Sequence, residues 1–145
     1  MIYSNKLSME EVYQDIKFDR DFQIITRTAK GEASGLPEVC YIGIVHCVLN
    51  RVRKQKFYWG LTAKDVCLMG DQFSYWQRTS LEYLSYYYIK SVIPIVKLAI
   101  DEYGKGRDIT DGATHYHTVD TMPFWAEGKK PCHDDGHHLY YNNIA

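Results

Sequence analysis

Val39-Cys40-Tyr41-Ile42-Gly43-Ile44-Val45-His46-Cys47-Val48-Leu49-Asn50-Arg51-Val52 decides the fold. Its apolar residues recur at helical spacing and go almost all the way round the helix. A helix apolar on all sides sits at the centre of a domain rather than on its surface. The rest of the chain is therefore expected to wrap around it. Pro37, just before it, suits the first turn of a helix. His46 lies within the apolar run, where a hydrogen-bonded core histidine is the simpler expectation. Asn50 and Arg51 are placed to bond neighbouring loops. Arg51, Arg53, Lys54 and Lys56 trail the helix, and the expectation is a solvated basic face that complements the helix dipole.

Upstream, Phe22, Ile25, Thr26 and Ala29 mark a second helix, with Asp19 as its cap. It runs into Ala29-Lys30-Gly31-Glu32-Ala33-Ser34-Gly35. Its last turn delivers Glu32, flanked by glycines that release the chain from helical geometry and leave the backbone bare. An acid so placed can touch a bulky substrate, although a lone Glu is more often simply solvated. Before this helix, Ser8 and Glu11 form a capping box for a short lead-in over Met9–Ile16.

Downstream, Thr62–Cys67 reads as a short helix. Gly70-Asp71-Gln72-Phe73-Ser74-Tyr75-Trp76 mixes polar and aromatic residues and suits a groove-lining loop. Leu81–Tyr103 is helical, broken or restarted at Pro94 and ended by Gly104-Lys105-Gly106. Ala113–Thr118 alternates as a strand, with His115 and His117 on one face and Tyr116 on the other. His137–Tyr141 reads as a returning strand. The fold class is α+β, mainly α: a helical domain around a buried central helix with a small C-terminal β-hairpin or sheet.

The chain of 145 residues is long enough for one domain, with a lead-in over 1–17 and a core over 18–145. A hydrophobic content of 46% suffices for a core. The net charge of −1 argues against nucleic acid, which selects a basic excess. No apolar run approaches the ~20 residues of a membrane helix. Thirteen tyrosines and three tryptophans suit stacking on sugar faces as well as core packing. The four cysteines, Cys40, Cys47, Cys67 and Cys132, match no zinc module and are expected as free thiols. The first residues show no apolar core followed by a cleavage site, so the expectation is a protein held in the cytoplasm until release.

Several stretches then fall in one order. Gly31-Glu32-Ala33 leads to Val48-Leu49-Asn50-Arg51-Val52. Next come Gln72-Phe73-Ser74, Gly112-Ala113-Thr114-His115-Tyr116-His117 and Pro123-Phe124-Trp125-Ala126. Gly136-x-His138-x-Tyr140-Tyr141 closes the series. This pattern, spanning about residues 22–141, resembles the cell wall hydrolase family typified by the spore cortex-lytic enzymes SleB and CwlJ, which includes many phage-borne members. The resemblance implies a lysozyme-like fold and cleavage of peptidoglycan between N-acetylmuramic acid and N-acetylglucosamine, in well-studied relatives as a lytic transglycosylase. The family's essential glutamate maps onto Glu32. Gln72, Phe73, Ser74, His115, Tyr116, His117, Trp125 and His138 match segments that border the cleft, and are expected to bind substrate or orient Glu32. Where family members often read Trp directly after Phe-Ser, Tyr75 intervenes before Trp76. A phage or prophage endolysin that works as a monomer on bacterial peptidoglycan is the expectation.

Glycosidic cleavage needs a proton on the leaving oxygen, which a carboxylic acid supplies. A transglycosylase manages with one carboxylate, whereas a hydrolase usually needs a second, for which Asp71 and Asp120 are candidates. Neither a cofactor nor a metal is required. A metal-dependent hydrolase is the rival, because five of six histidines lie between His115 and His138 with Cys132, Asp134 and Asp135. No His-Glu-x-x-His helix accompanies them. A non-catalytic glycan-binding module is a further alternative, which would have no need of Glu32.

Overall fold

The computed structural model describes residues 6, 8, 9, 19–69, 73–77 and 89–145. The lead-in helix over Met9–Ile16 lies largely outside the described residues, as do Asp71, Gln72 and the 81–88 part of the long helical stretch.

The central element is α2, Glu38–Lys54, preceded by α1, Asp19–Ala33. Twelve residues of α2, from Cys40 to Val52, are buried, which bears out the all-round apolar pattern. Helix α2 ends at Gln55, a non-glycine residue at φ 52°. That conformation costs about 1 kcal/mol, and the Gln55 Nε2 offsets it by donating to the Val52 and Leu61 carbonyls at 2.8 Å. Helix α3, Ala63–Leu68, is capped by the Thr62 hydroxyl, which accepts from the Asp65 N–H. Helix α4, Ile93–Gly104, carries Pro94 in its first turn, so the proline starts a helix rather than kinking one.

Three short strands follow: β1 His115–Thr118, β2 His133–Asp134 and β3 His138–Tyr141, in the order β1-β3-β2. Both pairings are antiparallel, with Tyr116 opposite Tyr140 and His133 opposite Tyr140. The expected hairpin or small sheet is a three-stranded sheet, with β2 as the strand not anticipated. Strand β2 is two residues long, too short for a period to register in sequence. Among the described residues no helix is long and apolar enough to cross a membrane.

Polar side chains on α2 fasten the sheet's entry loop. The buried Asn50 donates through Nδ2 to Asp108 Oδ2 at 2.7 Å and to the Ala113 carbonyl at 2.9 Å. Its Oδ1 accepts from the Tyr103 hydroxyl at 2.7 Å. His46 is fully buried and satisfied, as expected. Its Nε2 lies 2.8 Å from the Ala99 carbonyl, and the Ile109 N–H donates to its Nδ1. Burial works against the Asp108 charge, but hydrogen bonds from the Asn50 amide and from the Thr110 hydroxyl and N–H outweigh it and hold the carboxyl well below the usual range.

Arg51 bonds a neighbouring loop as expected, but it departs from the expected solvated basic face. It is buried, and its Nε donates to the Thr114 carbonyl. Its guanidinium lies 5.4 Å from the Phe73 ring and 5.6 Å from Trp59. Aromatic faces accept a guanidinium where water is excluded. Cys40, Cys47 and Cys67 are buried free thiols and Cys132 is partly buried and free.

Candidate active site

Glu32 stands in the last turn of α1, half-buried. Helical spacing places Thr28, Gly31 and Glu32 on one face, and the segment 73–77 docks along it. The Trp76 indole N–H donates to Thr28 Oγ1 at 2.8 Å. One turn on, the Tyr75 ring lies against Gly31, where any Cβ would overlap it. That contact brings the Tyr75 backbone N–H to Glu32 Oε2 at 2.9 Å.

Gly31 thus does not release the chain from the helix as expected. It remains helical, and its missing side chain makes room for an aromatic ring. The release comes at Gly35, at φ +81°, where the turn into α2 is made.

The other oxygen of Glu32, Oε1, accepts from the Tyr116 hydroxyl. Tyr116 points from the middle of β1 towards the helices. Its ring meets Phe73 at 6.3 Å, His138 edge-on at 5.2 Å and Tyr140 at 5.7 Å. Burial, then the nearby Glu32 charge and the hydrogen bond to it, push the Tyr116 hydroxyl well above its ordinary value. It stays protonated and remains a donor. The two donors take two of roughly four acceptor positions of a carboxylate, and they fix its plane.

The structure therefore brings Glu32, Tyr116, Phe73 and His138 together. Phe73 is buried behind Tyr116, beside Arg51. His115, His117 and Trp125 form a separate aromatic cluster on the other face of β1. His115 meets Trp59 at 5.4 Å and Trp125 at 5.2 Å. Burial, then Arg51 and Lys56, pull His115 down to about 3, so it is neutral there. His117 stacks on Tyr141 and accepts from the Tyr141 hydroxyl at Nε2, while its Nδ1 donates to the Thr118 carbonyl. Ser74 opens the 3-10 turn Ser74–Gln77, and Gln72 lies outside the described residues.

Asp120 is exposed in the turn after β1 and accepts from the Thr118 hydroxyl. A cavity of about 200 Å³ lined by Asn50, Arg53, Lys54 and Asp111 lies at the far end of α2 from Glu32. The histidines of the last third do not converge. Among the described residues one group has metal-ligand geometry, formed by Cys40, Asp135 and His138. Sequence reasoning missed Tyr75 in this setting, and it foresaw the loop contact of Arg51 but not its aromatic partners. Tyr75 acts through its backbone, which leaves no residue-type signal.

A mainly helical body and a small sheet thus hold one carboxylate between an aromatic hydroxyl and a backbone N–H. The family model for cell wall hydrolases matches residues 37–141, and the chain belongs to that family. Its activity class is peptidoglycan cleavage. The fold is that of the catalytic domain of the Bacillus cereus SleB protein, at 21% identity and TM-score 0.67 over 85% of this chain and 90% of that one. The catalytic domain of the germination-specific lytic transglycosylase SleB from Bacillus anthracis aligns at 20% identity and TM-score 0.66, over 85% of this chain and 94% of that one. No curated protein sequence matches the chain.

Proposed function

We propose that the protein cleaves the peptidoglycan glycan strand between N-acetylmuramic acid and N-acetylglucosamine as a lytic transglycosylase, with Glu32 as general acid and then general base. The observation that carries this reading is the two-sided grip on Glu32, by the Tyr116 hydroxyl and the Tyr75 N–H. It fixes one carboxyl group in a defined plane, as proton transfer to a glycosidic oxygen requires. The aligned Bacillus anthracis domain, described as a lytic transglycosylase, supports the same reaction class.

In this scheme Glu32 gives its proton to the leaving glucosamine oxygen as the bond to the muramic acid C1 breaks. The sugar becomes oxocarbenium-like, and Glu32 becomes a carboxylate. Tyr116 and the Tyr75 N–H then stabilise that charge. Glu32 takes the proton of the muramic acid C6 hydroxyl as its oxygen closes on C1. The product is a 1,6-anhydro end, and no water is consumed. His138 walls the Tyr116 ring and acts as a positioning residue. Gln72 and Ser74 are assigned to glycan binding, and the cluster of His115, His117 and Trp125 to contacts with the glycan beyond the Tyr116 side of the strand.

The biological setting proposed is a phage or prophage endolysin, supported by the resemblance to phage-borne members. It would act as a monomer that gains the wall from the cytoplasm after a membrane lesion. Expression in a bacterial host with and without a permeabilising agent tests this: lysis only after permeabilisation is expected, and lysis without it would overturn the setting.

The decisive experiment is digestion of purified peptidoglycan by the wild-type protein and by Glu32→Gln, with mass analysis of the muropeptides. Products one water lighter than hydrolysis products, lost with the variant, are expected. Reducing ends instead would make the enzyme a muramidase-type hydrolase. Undiminished activity of Glu32→Gln would remove Glu32 from the mechanism.

A further inference from the structure

On the sheet side of α2, near its N-terminus, lies a cluster of which the proposed reaction uses only the His138 ring, as a wall for Tyr116. The Cys40 thiol, one carboxylate oxygen of Asp135 and one imidazole nitrogen of His138 all lie within 4.8 Å of one another. Cys40 is 0% and His138 1% exposed, and the Asp135 side chain is 0% exposed. Sulfur, oxygen and nitrogen donors of these types are the ligand set of zinc.

The cluster is built rather than coincidental. Asp135 opens the turn into β3, and its Oδ1 accepts from the backbone N–H groups of His137 at 2.9 Å and His138 at 2.6 Å. That anchor turns Oδ2 towards the His138 Nδ1, at 3.1 Å. Such outer contacts commonly orient a ligating carboxylate. Gly43 lies one helical turn after Cys40, on the same face of α2. Its bare backbone accepts the end of the Tyr140 side chain, where a Cβ would press on the hydroxyl. The Tyr140 hydroxyl in turn donates to Asp135 Oδ2 at 2.9 Å. A tetrahedral zinc ion holds its ligand atoms about 3.3–3.6 Å apart. The 3.1 Å separation of Oδ2 and Nδ1 already approaches that, and the thiol requires only a small inward movement.

We propose that Cys40, Asp135 and His138 bind a thiophilic divalent cation, zinc foremost, with the Tyr140 hydroxyl bordering the fourth coordination position. The cation replaces the thiol proton and the proton between Nδ1 and Oδ2. It ties the start of the central helix to the β2–β3 turn, and it fixes the imidazole that stands edge-on to Tyr116. Its role is structural, not hydrolytic, and the proposal does not depend on the chemistry assigned to Glu32.

The test is titration of reduced, metal-free wild-type protein with Co²⁺, followed by competition with Zn²⁺. The expected result is one equivalent of Co²⁺ with a thiolate-to-cobalt charge-transfer band that Zn²⁺ abolishes. Cys40→Ser, a near-isosteric change, should lose the band. Asp135→Asn should weaken binding by more than the roughly 10–100-fold that loss of a supporting partner costs. Far-ultraviolet circular dichroism of both variants keeps misfolding distinguishable from lost ligation. Failure of wild-type protein to take up Co²⁺, or survival of the band in Cys40→Ser, would overturn the proposal. Metal uptake is read without any activity measurement, so its failure is separate from a failure of the glycan-cleavage reading.

Discussion

The hydroxyl of Tyr116 donates to Oε1 of Glu32 across 84 residues of chain, joining the middle of a strand to the last turn of a helix. Neither residue is placed by its own local sequence for this meeting. A buried hydrogen bond to a charged group contributes about 1.5–3 kcal/mol, equivalent to roughly 10–100-fold in rate if all of it acts in the transition state. Tyr116→Phe is therefore expected to lower kcat about 10–100-fold on soluble glycan fragments with little change in KM. The double variant with Glu32→Gln should be no worse than Glu32→Gln alone. Additive losses in that cycle would place Tyr116 outside the proton-transfer unit.

Gly31 and Gly35 flank Glu32 for different reasons, and substitution separates them. An alanine at 31 overlaps the Tyr75 ring. It should displace the 73–77 segment, destabilise by about 1–3 kcal/mol as overpacking does, and remove most activity. An alanine at 35 meets open space and suffers only from φ +81°, a cost of about 1 kcal/mol, with activity largely kept. Chemical denaturation and wall-clearing assays on the two variants check this. Equal activity losses would show that Gly31 has no special role.

Asn50 serves Asp108, the Ala113 carbonyl and the Tyr103 hydroxyl at once. Asn50→Ala strands several buried partners, and a loss of about 2–4 kcal/mol is expected. A urea midpoint unchanged within error would mean that water substitutes for the amide.

His115 gives the protein an acid-sensitive element. Its folded-state value, about 3, lies below the 6.5 of an unperturbed histidine. The unfolded chain therefore binds the proton more readily. The contribution of neutral His115 to stability is complete above about pH 6.5 and is lost as pH falls from there towards 3. Denaturant midpoints at pH 7 and pH 4.5 should differ less for His115→Phe than for wild type. A larger difference in the variant would contradict the assignment.

Much of this architecture is legible in sequence because periodicity reports burial. Val39–Val52 had to be central, and Ala113–Thr118 had to alternate. Gly-Glu-Ala made Glu32 a candidate only together with the later motifs. What periodicity leaves open is which distant surface each face meets. The alternation of β1 put His115 and His117 opposite Tyr116, yet only the fold assigns Tyr116 to Glu32 and the histidines to Trp59 and Trp125. Arg51 misleads for the same reason. A cation at a helix end is usually solvated, and its burial depends on Phe73 from the 73–77 segment closing over it opposite Trp59 in the turn after α2. Strand β2 escaped because a two-residue partner carries no pattern.

The Tyr75 contact to Glu32 runs through the main chain, and this shapes what genetics can detect. An alanine scan leaves that N–H in place, so a screen for inactive variants would rank Tyr116 highly and pass over residue 75, or blame its ring. Replacement of the amide by an ester at that position, or Tyr75→Pro, interrogates the donor itself. By the same logic the side chain at 75 can be exchanged while the N–H contact is kept, as long as the residue facing it on the helix stays small enough to let the backbone approach.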